Sequence, residues 1–197
     1  MNNSQAILNY AKQNNGIITN SMIVSAGFSR GILKYLVEQG QLEKSSRGVY
    51  TLPEVWEDEF VSVQNRFKKG VFSLDTALFL YDLTDRTPYQ FHMTFPGTYN
   101  LTNPKKEGIL CTNTKEPLFS IGIENVQTPA GNTVRAYNAE RTLCDILKPR
   151  YHTDVQVVTD AFKKYITGKD KNIPLLSEYA HLLKVESKLR AYLEVLL

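Results

Sequence analysis

Four cations fall within one eighteen-residue stretch, Arg30, Lys34, Lys44 and Arg47, and the chemistry they offer is recognition of a polyanion. In FSRGILKYLVEQG, Arg30, Gly31, Lys34 and Tyr35 fall on one helical face, while Ile32, Leu33, Leu36 and Val37 fall on the other. An arginine near the N-terminal end of such a helix can reach base edges and read guanine through its two-pronged donor set. Gly31 lets the helix come close to a duplex, and the hydroxyls of Ser29 and Tyr35 are donors for phosphate. Lys44 and Arg47 sit at the tip of an expected hairpin, where they would grip the backbone. Ordinary solvated surface is the competing reading of all of them, and it serves equally well for Lys12.

The elements that must hold these side chains follow from local signals. Ser4 can cap a first helix running to about Asn14, and Asn15-Gly16 ends it. Ile17-Ile18 is long enough only for a stub strand. Thr19 or Asn20 then caps a short helix, SMIVSA, closed by Gly27. Ser29 caps the next helix, Phe28 staples its start, and Gly40 stops it. Three residues, Ala26-Gly27-Phe28, separate the two helices, which is helix-turn-helix spacing. Leu42-Glu43-Lys44, a Ser-Ser-Arg-Gly turn and Val49-Tyr50-Thr51-Leu52 then read as a hairpin. Residues 1–53 are therefore expected to form a winged helix-turn-helix DNA-binding domain.

The charge distribution agrees. Residues 1–53 hold five Lys/Arg against two acids, whereas residues 54–197 hold 18 of each, so the whole net charge of +3 lies in the first quarter of the chain. Hydrophobic content of 42% is enough for a packed core. No stretch approaches the roughly 20 apolar residues that cross a bilayer, and MNNSQAILNYAKQNN lacks the features of a secretion signal, so a cytoplasmic protein without membrane partners is expected. Cys111 and Cys144 have no metal-ligand spacing and read as free thiols. Nothing frames an enzyme: no carboxylate pair is placed as acid and base, His92, His152 and His181 are scattered, and neither a P-loop nor a Gly-x-Ser-x-Gly elbow occurs. No catalytic residue, metal or cofactor is therefore expected.

Beyond Pro53, residues 57–69 read as a linking helix with acids first and cations last, matching the helix dipole. Ser73 caps LDTALFLYDL, apolar on nearly all sides and hence buried. Residues 89–95, 109–112, 119–126 and 133–137 read as four strands, with LTNPKKEG as a loop between them. From Asn138 the pattern is helical: AERTLCDILK, VQVVTDAFKKYI capped by Asp154, LLSEYAHLL and SKLRAYLEVLL. The expected fold class is α+β, a winged helix-turn-helix followed at 54–197 by a domain with a small, mainly antiparallel sheet and several helices.

With both parts in view, the chain resembles the AbiE-type abortive-infection antitoxins, the AbiEi family of type IV toxin–antitoxin systems. The winged helix is followed by VFSLDTALFLYDLTDRTP, a TFPGTY segment, TPAGNTVRAYNAERTLCDIL and SEYAHLLKVESKLRAYLEVLL, and the resemblance runs over essentially the whole chain. It implies a repressor that binds inverted repeats in its own promoter through double-stranded DNA contacts of the N-terminal domain. It also implies a C-terminal antitoxin domain that counters a cognate nucleotidyltransferase toxin without a stable complex, in phage defence. Asp85, Arg86, Glu140, Arg141 and Asp145 are the candidates for the antitoxin surface. The spacing of Arg141 and Asp145 also allows an ion pair that pins their helix to the sheet, or to Asp82 and Asp85, and that reading is the favoured one. A ligand-responsive winged-helix repressor with an effector domain is the alternative function.

Overall fold

The computed structural model describes residues 3–196; Met1, Asn2 and Leu197, at the outer ends of the first and last expected segments, lie outside the described residues. The chain divides into two compact units. One holds the residues up to Lys68 together with Gln127–Val134; the other holds Lys69–Val126 and the chain from Arg135 onward.

In the first unit, α1 (Asn3–Gln13), β1 (Ile17–Thr19), α2 (Asn20–Ser25), α3 (Gly31–Glu38), β2 (Glu43–Ser46), β3 (Val49–Thr51) and α4 (Glu59–Arg66) follow in order. The expected stop after α1 is real: Asn15 and Gly16 take positive φ of 53° and 76°, and the Gly16 N–H donates to the Ala11 carbonyl at 2.9 Å. A side chain at Gly16 would meet Val55 at 2.4 Å, so this position needs glycine for space as well as for conformation. Thr19 caps α2, its Oγ1 accepting from the Met22 N–H at 3.2 Å. The stub strand β1 has a partner: it runs antiparallel to β3, giving a three-stranded sheet of order β1-β3-β2. Ile7, Ala11, Ile18, Ile23, Leu33, Leu36, Leu42 and Leu52 close the core beneath the helices.

The second unit contains β4 (Val71–Phe72), α5 (Leu74–Leu80), β5 (His92–Pro96), α6 (Thr102–Lys106), β6 (Leu110–Thr114) and β7 (Ile123–Gln127). After these come β8 (Thr133–Tyr137), α7 (Ala139–Ile146), α8 (Val155–Thr167), α9 (Ile173–Leu182) and α10 (Glu186–Leu196). The fold is α+β, as expected, but the sheet has five strands in the order β6-β5-β4-β8-β7 and is mixed rather than mainly antiparallel. β4 pairs antiparallel with β5, whereas β5 and β6 are parallel, as are β4 and β8. The cause lies in residues 101–108, expected as a loop. They contain α6, which makes the connection from β5 to β6 a crossover and therefore permits a parallel pair. Pro104 is no obstacle there, because in the first turn its missing N–H has no helical acceptor to lose.

Helices α5, α7, α8, α9 and α10 enclose the main core of this unit, with Leu78, Leu143, Cys144, Ala161, Phe162, Leu176 and Ala180 fully out of solvent. Asn138 caps α7 and Asp154 caps α8, as their positions before the apolar periodicity predict. Both cysteines are free thiols. Among the described residues no helix is long and apolar enough to cross a membrane.

Candidate nucleic-acid interface

The start of α3 is built as its sequence requires. Arg30 already has right-handed helical angles (φ −62°, ψ −26°), and the Gly31 N–H donates to Ser29 Oγ at 3.3 Å, so Ser29 caps the first turn. Leu33 and Leu36 are buried, which fixes the rotation of the helix and turns Ser29, Arg30, Gly31, Lys34 and Tyr35 outward. The Lys34 side chain is 84% exposed and lies 3.7 Å from Glu38. A surface pair of that kind contributes little, roughly 0–1 kcal/mol, and leaves the ammonium free to exchange partners. Tyr35 is a half-exposed aromatic with a polar tip, suited to a phosphate or sugar contact.

The wing differs from expectation in one detail. Strand β2 continues through Ser46, with a bulge between Glu43 and Ser46, so the turn is only Arg47-Gly48. Arg47 is at the tip; Lys44 is an exposed residue of the strand instead. The tip is braced from two sides. The Asn20 N–H donates to the Gly48 carbonyl at 2.9 Å, and Asn65 Nδ2 of α4 donates to the Arg47 carbonyl at 3.1 Å. Ser46 Oγ donates to Ser62 Oγ at 3.1 Å. Gly48 has φ +78°, and a Cβ there would come within 3.0 Å of Asn20 Nδ2. Gly48→Ala is therefore expected to destabilise this unit by about 1–2 kcal/mol, measured as faster amide exchange in β2 and β3. Unchanged exchange would mean that the turn does not need the left-handed conformation.

Sequence reasoning missed the brace because Ser62 and Asn65 look like ordinary polar positions of an amphipathic helix. It also missed Asp58. This side chain is buried; Oδ1 accepts from the N–H groups of Phe60 and Val61 (3.0 and 3.4 Å), capping α4. Its Oδ2 accepts from Thr128 Oγ1 at 2.5 Å and Asn132 Nδ2 at 2.9 Å, fastening the 127–134 segment into the same unit. Counted over this whole unit, seven Lys/Arg face six Asp/Glu. The positive field therefore comes from α3 and the wing, not from the net charge of the unit.

The candidates in the second unit separate into two kinds. Asp85 and Arg86 are exposed, Asp85 receiving Lys164 Nζ at 2.7 Å. Glu140, Arg141 and Asp145 are buried and form no surface. Arg141 Nε donates to Asp145 Oδ2 at 2.9 Å, and its Nη1 donates to the carbonyls of Leu118 and Ile121 at 2.6 and 3.1 Å. The guanidinium also lies 4.4 Å from the centre of the Tyr137 ring. Lys148 Nζ reaches Asp145 Oδ1 at 2.6 Å, and Glu140 accepts from the Tyr165 hydroxyl at 2.7 Å. YNAERTLCD thus encodes a polar core that ties α7 to the 118–122 segment and to α8. The i, i+4 spacing held the clue, and burial decides between its two readings.

An exposed cationic helix beside a braced, cationic hairpin defines a winged helix-turn-helix module, and this one is joined to a mixed-sheet α+β unit. Residues 5–53 match the family model described as transcriptional regulator, AbiEi antitoxin. The fold is shared with the RV2827C protein from Mycobacterium tuberculosis, with a TM-score of 0.53 at 11% identity, over 90% of this chain and 71% of that one. No curated protein matches the chain.

Proposed function

We propose that the protein is the antitoxin of a type IV toxin–antitoxin phage-defence system and the repressor of its own operon, acting in the cytoplasm. Its first unit binds inverted repeats in its promoter. Residues 54–197 supply the activity that counters a nucleotidyltransferase toxin, without a stable complex and without a catalytic step of their own. The observation that carries the reading is the outward face of Ser29, Arg30, Lys34 and Tyr35 on α3, with Lys44 and Arg47 on the wing, inside the segment that matches the regulator family.

Two measurements test its halves separately. Arg30→Ala and Lys34→Ala are each expected to weaken operator binding about tenfold, and Lys34→Ala to reduce the salt slope by about 1. Unchanged affinity in both variants would remove α3 from the groove. For the second half, the full chain carrying both substitutions, expressed from an unrelated promoter, is expected to restore growth to cells making a cognate nucleotidyltransferase toxin. Absence of rescue by the unmutated chain rejects the antitoxin role. A second reading, a winged-helix repressor that responds to a small ligand, is favoured by an open cleft of about 760 Å³ in the second unit, lined by Leu74, Leu78, Ile109 and Arg86 among others.

A further inference from the structure

An open cleft of about 760 Å³ lies wholly within the second unit, in the size range of small-molecule sites. Its inner surface includes the buried Leu74, Leu78 and Ile109. Three permanent cations, Arg86, Lys105 and Arg150, line it against two carboxylates, Asp75 and Asp154. Asp154 Oδ1 accepts from the Gln156 N–H at 2.7 Å, and Asp75 lies 3.6 Å from His92 Nδ1, so the lining keeps an excess of one positive charge. Burial lowers the pKa of His92 from its ordinary value, against the pull of Asp75, so the imidazole adds little positive charge.

The cations are differently placed. Among the described residues neither Arg86 nor Lys105 has an ion-pair partner. Arg150 is held by its neighbour instead, stacked 4.6 Å over the Tyr151 ring and donating to its hydroxyl at 2.5 Å. On the same lining, Tyr89 is 99% exposed, an aromatic ring with no protein cover. Unmatched cations call for an anion, and a bare ring beside an apolar wall calls for a flat, partly apolar body.

We propose that this cleft binds a nucleoside phosphate, its phosphates on Arg86 and Lys105 and its base against Tyr89. Guanidinium and ammonium donors suit phosphate oxygens, and base stacking on an aromatic ring tolerates any base. The ligand is either a free nucleotide or the terminal nucleotide of an RNA. Binding is measured directly, so the inference does not depend on the antitoxin reading.

The test is calorimetric titration of the full chain with the four ribonucleoside triphosphates, the matching nucleosides and pyrophosphate. The triphosphates are expected to bind more tightly than either fragment. Arg86→Ala and Lys105→Ala are each expected to weaken them about tenfold or more, and Tyr89→Ala to weaken the triphosphates while leaving pyrophosphate unchanged. All three side chains are exposed, so these variants keep the fold, and Lys169→Ala outside the cleft keeps the affinity. Cys111 gives an independent location: it lines the cleft, and bound nucleotide is expected to slow its alkylation at alkaline pH. Displacement by a 5′-phosphorylated oligoribonucleotide, with the same dependence on Arg86, identifies an RNA end, and failure to displace identifies the free nucleotide. No binding of any triphosphate at millimolar concentration overturns the inference. So does binding that survives the Arg86→Ala/Lys105→Ala double variant, or pyrophosphate binding as tight as that of the triphosphates.

Discussion

Asp145→Ala is expected to destabilise the second unit by about 3–5 kcal/mol, the cost of removing one partner from a buried ionic cluster. Asp145 is 3% exposed and, among the described residues, is the one carboxylate paired with both Arg141 and Lys148. Without it two positive charges face each other in a site already poor in water. Burial lowers the Lys148 pKa from its ordinary value, opposed chiefly by Asp145; deleting the carboxylate removes that opposition, and the lysine then tends to lose its proton. Arg141 cannot do the same. Its carbonyl partners at Leu118 and Ile121 would hold it in place, unneutralised. The effect should appear as a loss of amide protection in α7 and α8 measured by hydrogen exchange with mass spectrometry. The lone tryptophan, Trp56, belongs to the other unit and would not report it. A loss below about 1 kcal/mol would mean that water reaches the cluster and that burial does not govern its energetics.

The second large effect is expected at Asp58. Replacement by alanine removes the cap of α4, worth about 1 kcal/mol, and leaves two buried side-chain donors, Thr128 Oγ1 and Asn132 Nδ2, without their acceptor at about 1–3 kcal/mol each. We expect a loss of about 3–7 kcal/mol in the first unit, with Asp58→Asn recovering the cap but not both side-chain bonds. Exchange rates of α4 and of the 127–134 segment should rise together in Asp58→Ala. If only α4 responds, the carboxylate is a helix cap and nothing more.

These two aspartates mark where sequence reasoning works and where it stops. Local signals were legible: Thr19, Asn138 and Asp154 cap their helices because a short polar side chain before an apolar periodicity has few other uses, and Gly16 and Gly40 take the left-handed conformation at the ends of helices. The outward face of α3 was legible for the same reason, since Leu33 and Leu36 fix what remains outside. Pairings distant in sequence were not. Strand β4 is two residues long, too short to show an alternation, yet it lies at the centre of the sheet. A five-residue helix with Pro104 in its first turn passed for a loop and hid the parallel register of β5 and β6. Arg141 and Asp145 carry the residue types of a surface, and no periodicity says that the segment at 118–122 folds over them. Gly122 records it, because a Cβ there would meet Arg141 Cβ at 2.8 Å, but that meaning is invisible until the fold is known.

The bond from Asp58 to Thr128 and Asn132 also bears on inheritance. A recombination that exchanges the first unit must carry both of its chain segments. A single crossover near codon 68 would carry Asp58 with the new head and leave Thr128 and Asn132 with the old body. A functional exchange needs either a second crossover around residues 127–134 or parents that already share the three side chains. The first unit is thus discontinuous in the gene and cannot be exchanged as a simple N-terminal cassette.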